Sequence, residues 1–408
     1  VLAANALLLV GHSPETAAGQ PGLLGAWGGL VQATLAHGGA IDILARLGVV
    51  LLLFMVGLES NLAAMMQVGL SSLLVATVGV VAPFLLGFAT SYWLLPGSHD
   101  LMVHVFIGAT LAATSVGITA RVLRELGRLD QPESRIILGA AVIDDVMGLV
   151  LLAVVAGSIT AQNAGGTLNP LDVVRIAGVA LLFLGLAVVV GQRLAPRVFG
   201  LAARLPGEGV LLATALVVCF LLAGTANLIG LAPIVGAFAA GLLLDRVHYR
   251  DFRLRGDEHD VEELIEPLAA FLVPVFFVQM GMTVRLESFA NPAVIGFAAL
   301  LTLAAVLGKQ VCGLAVVERG LDRVSVGVGM IPRGEVGLIF ASIGRSLVLD
   351  GQPVVDEVAN SAVVIMVIVT TLVTPPLLQY TLARSERRRD AVAGSDAERP
   401  AEEPTARG

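Results

Sequence analysis

The sequence is short of almost everything a soluble protein uses to cover its surface. Only 14% of its 408 residues are charged, and its mean hydropathy is +0.88. Soluble domains carry about 25% charged residues, so several globular domains are excluded and one polytopic membrane domain is expected. Lysine is nearly missing: Lys309 is the single example among the 25 lysines and arginines. With 5% aromatics and no basic stripe, nothing supports nucleic-acid binding. The two cysteines, Cys219 and Cys312, lie in apolar runs and read as core thiols rather than a disulfide or metal pair. Six histidines fall in no ligand-like spacing. No cofactor motif is present, and no Gly-rich βαβ pattern follows the last apolar run, which argues against an appended nucleotide-binding domain. The net charge of −7 carries little information, because the acidic, arginine-rich tail contributes to it.

What is present is a series of apolar runs separated by short charged or Gly/Pro breaks. Eleven spans are expected near 43–58, 70–95, 101–121, 136–157, 173–192, 209–226, 231–244, 264–284, 292–318, 322–347 and 357–380. The apolar stretch 1–10 is shorter than the ~17–25 residues a crossing needs. It follows no Lys/Arg region, so it does not read as a signal peptide. Together with the missing initiator Met, it suggests a truncated start, and residues 11–40 read as a Gly/Ala-rich external loop. Arginines collect in alternate loops, at 121–135, 193–204, 246–255, 319–323 and 384–389, while the loops between them hold only Arg285 and Arg345. By the positive-inside rule, the basic loops and the C-terminus face the cytoplasm. The polar residues after about Arg384 read as a disordered tail.

Three charges sit where charge is expensive. Asp144 and Asp145 are adjacent in the apolar run Arg135–Val155, and Lys309 lies in another, Ala304–Leu314. One charged side chain at mid-bilayer costs at least ~2.5–3.5 kcal/mol on insertion scales. Neighbours on a helix point about 100° apart, so the two aspartates face different partners. One can pair with a cation while the other faces a cavity. Lys309 is the natural cation, although a lysine can also snorkel to the surface.

Two spans are interrupted. Gly108–Arg121 replaces large apolar residues with small and hydroxylated ones, Thr114, Ser115 and Gly117 among them. Such residues serve either close helix packing or an unwound segment lining a cavity, and the sequence does not choose. Val328–Leu338 contains Pro332, Gly329 and Gly334, with Arg333 and Glu335 in the same run, which predicts a broken helix carrying a local ion pair. These are the third and tenth spans. An odd offset makes them cross in opposite directions, the relation expected of inverted repeats whose broken helices meet near the midplane. Positive helix N-termini meeting there need a negative partner, a role open to the aspartates.

Four stretches then carry a resemblance: Leu51–Glu59, Ala113–Leu126, Ile137–Asp145 and Gly329–Ile339, with Leu231–Phe238 in agreement. The chain resembles, over roughly 43–385, the bacterial sodium/proton antiporters of monovalent cation:proton antiporter family 2, most closely the NapA-like members. The resemblance implies an all-α polytopic membrane fold of thirteen spans, built on inverted repeats with two discontinuous crossing helices. It implies a core domain (about 70–157 and 292–380) that moves as an elevator against a scaffold and dimerisation domain (about 43–58 and 173–284). The first family span is then missing, and residues 1–10 are the remnant of the second. Asp145 would bind the transported sodium or a proton in turn, and Asp144 would form a salt bridge with Lys309. Thr114 and Ser115 would sit at the crossover with Pro332, and Arg333 and Glu335 would be structural or modulating charges.

The function so implied is secondary active exchange of sodium or lithium for protons, electrogenic, in the inner (plasma) membrane, by a homodimer. A potassium/proton exchanger or potassium efflux system is the nearest alternative. An intramembrane aspartyl protease is remote, because it needs two carboxylates converging on one bond, and adjacent aspartates on a helix diverge. A passive channel or a solute-sensing receptor forms a third class.

Overall fold

The computed structural model describes residues 38–59, 69–95, 100–129, 131–163, 170–207, 209–244, 260–282, 291–349 and 351–397. Expectations for residues 1–37, including the short apolar start and the external loop, fall almost wholly outside these. The described residues form thirteen α-helices: α1 Gly38–Glu59, α2 Leu70–Leu94, α3 Leu101–Ala112, α4 Val116–Glu125, α5 Pro132–Asn163, α6 Pro170–Ala202, α7 Val210–Leu228, α8 Pro233–Leu243, α9 Val261–Met282, α10 Pro292–Cys312, α11 Arg323–Gly329, α12 Gly334–Ser346 and α13 Glu357–Ala397. The β-structure among them is one hairpin, Val348–Leu349 against Gln352–Pro353.

Among the described residues, nine spans are long and apolar enough to cross a membrane, with α3 and α4 counted together as one, and ten if the bent pair α11–α12 is one span. Adding the short apolar α8 gives the eleven runs expected from hydropathy. Several boundaries follow local chemistry. Asp100 and Asn291 cap α3 and α10 by accepting from the backbone N–H groups of Met102 and Ala293. Pro233 and Pro292 open α8 and α10, where a missing N–H costs nothing. One expectation fails at the C-terminus: residues 386–397 continue α13 as helix instead of forming a disordered tail. The stretch from Arg384 is rich in Ala, Arg and Glu and reaches no proline until Pro400, so nothing stops a helix already under way.

The helices pack as two groups. In one, α1 lies against α8 and α9, and α7 against α8. The α1–α8 crossing is nearly backbone to backbone: a Cβ on Gly57 would lie 2.3 Å from the Phe238 carbonyl oxygen, and one on Gly241 would lie 2.2 Å from that of Phe54. In the other group, α2 packs on α3, α5 and α10, and α13 packs on α10 and α12. Helix α6 touches both, through α5 and α8.

Candidate functional site

The buried charges gather in the second group. Lys309 on α10 donates to Asp144 Oδ1 on α5 at 2.8 Å, and neither side chain is exposed at all. Helix α2 packs directly over this pair. Gly79 presents bare backbone, where an added Cβ would sit 3.5 Å from Lys309 Nζ. One residue earlier on α10, Gly308 lets α2 approach so closely that a Cβ would lie 2.6 Å from Pro83 Cα. Asp145, about 100° further round α5, is only half-buried and lines a cavity of about 1340 Å³.

That cavity lies between the two helix groups. Leu52, Val56 and Glu59 of α1 and Glu262 of α9 form one side. Gly117, Arg121, Arg124 and Glu125 of α4, Arg135 and Asp145 of α5, Glu318, and Glu335 of α12 are among those on the other. Neither Lys309 nor Asp144 lines it. Its arginines, Arg121, Arg124 and Arg135, all belong to the arginine-rich stretch 121–135, so one end of the cavity is basic. The adjacent acids therefore occupy different environments, one sealed against an ammonium and the other on a cavity wall.

The two interrupted spans meet beside this cavity. Residues 113–115 are unwound between α3 and α4, and residues 330–333 between α11 and α12, where the chain bends by 46°. This resolves the alternative left open for Thr114 and Ser115 in favour of the unwound segment. Each break satisfies backbone groups of the other. The Ser115 N–H donates to the Pro332 carbonyl at 2.8 Å. The hydroxyls of Thr114 and Thr119 donate to the carbonyls of Met330 and Gly329 at 3.4 and 2.6 Å. Arg333, the largest fully buried side chain, donates to the carbonyls of Ala112 and Ala113 at the end of α3, and to that of Ala305 on α10 at 3.2 Å. A breach in two membrane helices is tolerable only if its backbone groups are repaired in this way.

One reading of the charges here is corrected. Arg333 and Glu335 do not form the expected local ion pair. Arg333 turns to carbonyls, at the negative end of α3, whereas Glu335 accepts from the Ser115 hydroxyl at 3.0 and 2.8 Å. Ser115 is the N-cap residue of α4, and Glu335 lies in the first turn of α12. Glu335 thus supplies a carboxylate at the two facing N-termini. Sequence reasoning assigned no role to Thr119 or to the cavity acid Glu59. Both stood in quoted motifs, and an acid ending an apolar run was the available signal for Glu59.

Comparison with known proteins agrees with this architecture. The profile of the sodium/hydrogen exchanger transmembrane family matches residues 20–384. The high-affinity Na(+)/H(+) antiporter NhaS3 of Synechocystis sp. is 40% identical over 351 residues, 84% of this chain and 72% of that protein. The Na(+)/H(+)-K(+) antiporter GerN of Bacillus cereus is 35% identical over 380 residues, 90% of this chain and 92% of that protein. The sodium proton antiporter MjNhaP1 of Methanocaldococcus jannaschii shares the fold, with a TM-score of 0.58 at 18% identity over 85% of this chain and 84% of that one. This multi-pass membrane protein belongs to the sodium/hydrogen exchanger transmembrane family, a family of transporters rather than enzymes.

Proposed function

We propose that the protein exchanges sodium for protons across the inner membrane, with Asp145 as the group that carries either ion. The observation carrying this reading is the split between the two acids. Asp144 is neutralised in place by Lys309, which leaves Asp145 on the cavity wall as the carboxylate open to competition. Sodium requires the deprotonated form and a proton excludes sodium, so each ion displaces the other. A bare carboxylate is costly to carry past an apolar partner surface, so only the loaded forms cross. The helix group α2–α5 with α10–α13 would be the moving core, α1 with α6–α9 the scaffold, and the cavity between them the access route of an elevator cycle. Net charge moves if more than one proton is exchanged per sodium ion. The basic cavity mouth and the C-terminus would face the cytoplasm, and the scaffold would carry a homodimer contact.

The test is sodium-dependent proton movement in proteoliposomes. The wild type collapses a pH gradient when sodium is added, and Asp145→Asn does not. If Asp145→Asn retains the response, the assignment fails. A second reading, potassium as cargo, is favoured by the likeness to GerN, a Na(+)/H(+)-K(+) antiporter, and running the assay with sodium, lithium and potassium separates the two.

A further inference from the structure

The family of reactions proposed above needs a proton acceptor that water can reach, and the cavity offers a second one besides Asp145. Among the charges near the crossover, Lys309 and Asp144 are sealed from the cavity, and Arg333 donates to three backbone carbonyls. Asp145 and Glu335 alone of this group line the cavity, from α5 and α12. We propose that Glu335 is a second proton-exchanging carboxylate of the transport cycle, coupled through the cavity to the cation on Asp145, rather than a fixed structural charge.

Three features support this. First, Glu335 is held at the junction of two helix N-termini by the Ser115 hydroxyl. That contact survives protonation, because a carboxylic acid keeps an acceptor oxygen. The geometry therefore tolerates both states, unlike a salt bridge, which would lose its partner. Second, the groups facing Glu335 make its charge state depend on the cation. Asp145 on α5, Glu59 on α1, Glu262 on α9, Glu125 on α4 and Glu318 are acids on the same walls, and Arg121 and Arg124 of α4 and Arg135 of α5 line the cavity as the balancing cations. Carboxylates that interact strongly titrate as a pair, and Asp145 and Glu335 stand in that relation under this proposal. An empty cavity favours holding protons on that pair, and a sodium ion entering favours releasing them to the cavity water. Third, no ion pair joins Arg333 to Glu335: the guanidinium donates to the α3 carbonyls instead.

This rests on the sodium/proton reading, and the test is chosen to separate the two. Apparent sodium affinity is measured against pH in purified protein, by sodium-dependent thermal stabilisation and by the sodium KM in proteoliposomes. Each proton displaced per sodium bound weakens apparent affinity about tenfold for each unit the pH falls. Wild type is expected to show a dependence steeper than one proton in its steepest range. Glu335→Gln keeps an acceptor for Ser115 and is expected to lose about tenfold per pH unit from that dependence, and Glu335→Asp to restore it. Binding gives the same readout if Glu335→Gln no longer transports. A one-proton dependence in wild type, a Glu335→Gln slope equal to wild type, or no restoration by Glu335→Asp overturns the inference and leaves the role of Asp145 standing. A wild type with no sodium response overturns both.

Discussion

Lys309 Nζ and Asp144 Oδ1 meet at 2.8 Å in a place water does not reach. The pair is a joint between α5 and α10, and its energetics are asymmetric. Forming it offsets two large desolvation costs, whereas removing one partner strands the other charge in a medium that cannot solvate it. Asp144→Asn and Lys309→Met should each destabilise by about 3–5 kcal/mol. The double variant should recover most of that loss, because it leaves no unpaired charge. Melting temperatures of the four proteins in detergent, run as a double-mutant cycle, test this. A double variant no more stable than either single would mean that the joint is not the source of the loss.

The crossover depends on Arg333 in a different way. Its guanidinium reaches carbonyls on both α3 and α10, and a planar fork suits several acceptors at once. Arg333→Met leaves the Ala112 and Ala113 oxygens at the end of α3 buried and unpaired, at about 1–3 kcal/mol for each. Arg333→Lys keeps the charge near the C-terminal end of α3 but forfeits the fork. Thermal stability should fall in the order wild type, Lys, Met. If Lys and Met were equally unstable, the fork geometry would be the whole effect and the charge none of it.

How much of this was legible beforehand depended on whether the signal was local. Apolar run length and loop arginines reflect bilayer thickness and charge cost directly, and the eleven runs reappear as helices at nearly their expected places. The cost of burying Asp144, Asp145 and Lys309 was equally local, so the three stood out without a fold. Partners across the crossover were not local. Arg333 and Glu335 are two residues apart, which invited a pair, but the break between them sends one side chain to the end of α3 and the other to the start of α4. Only knowing which break faces which could have shown that. The C-terminal helix was misjudged because composition rules for disorder ignore a helix already nucleated upstream.

Gly334 and Gly117 stand on the two broken spans and should respond oppositely to the same change. Gly334 has φ +39, and a Cβ there would lie 2.5 Å from the Ser115 hydroxyl oxygen, so Gly334→Ala strains the backbone and pushes the cap of α4 away. A loss of about 1–3 kcal/mol is expected from the backbone alone. Gly117 lies inside α4 with nothing within 4 Å of an added Cβ. Gly117→Ala should be neutral or gain up to ~1 kcal/mol from helix propensity. Parallel melting curves check the contrast, and equal losses would show that the breaks are insensitive to these local geometries.

The last turns of α13 are tied to the turn between α4 and α5 by Glu386, which accepts from Arg128 at 2.6 Å and from Gln131 at 3.0 Å. Glu386 is 43% exposed, so solvent screens the ion pair. Glu386→Ala should lower global stability by no more than about 1 kcal/mol. Its effect should instead be local. Released from the turn, the end of α13 would open more often without the bundle unfolding, and tryptic cleavage at Arg384 or Arg387 should quicken while the melting temperature barely moves. Limited proteolysis followed by mass spectrometry of the released peptides reads this directly. Unchanged cleavage at those arginines would mean that the helix is held by its packing on α10 and α12, with the ion pair adding nothing to it.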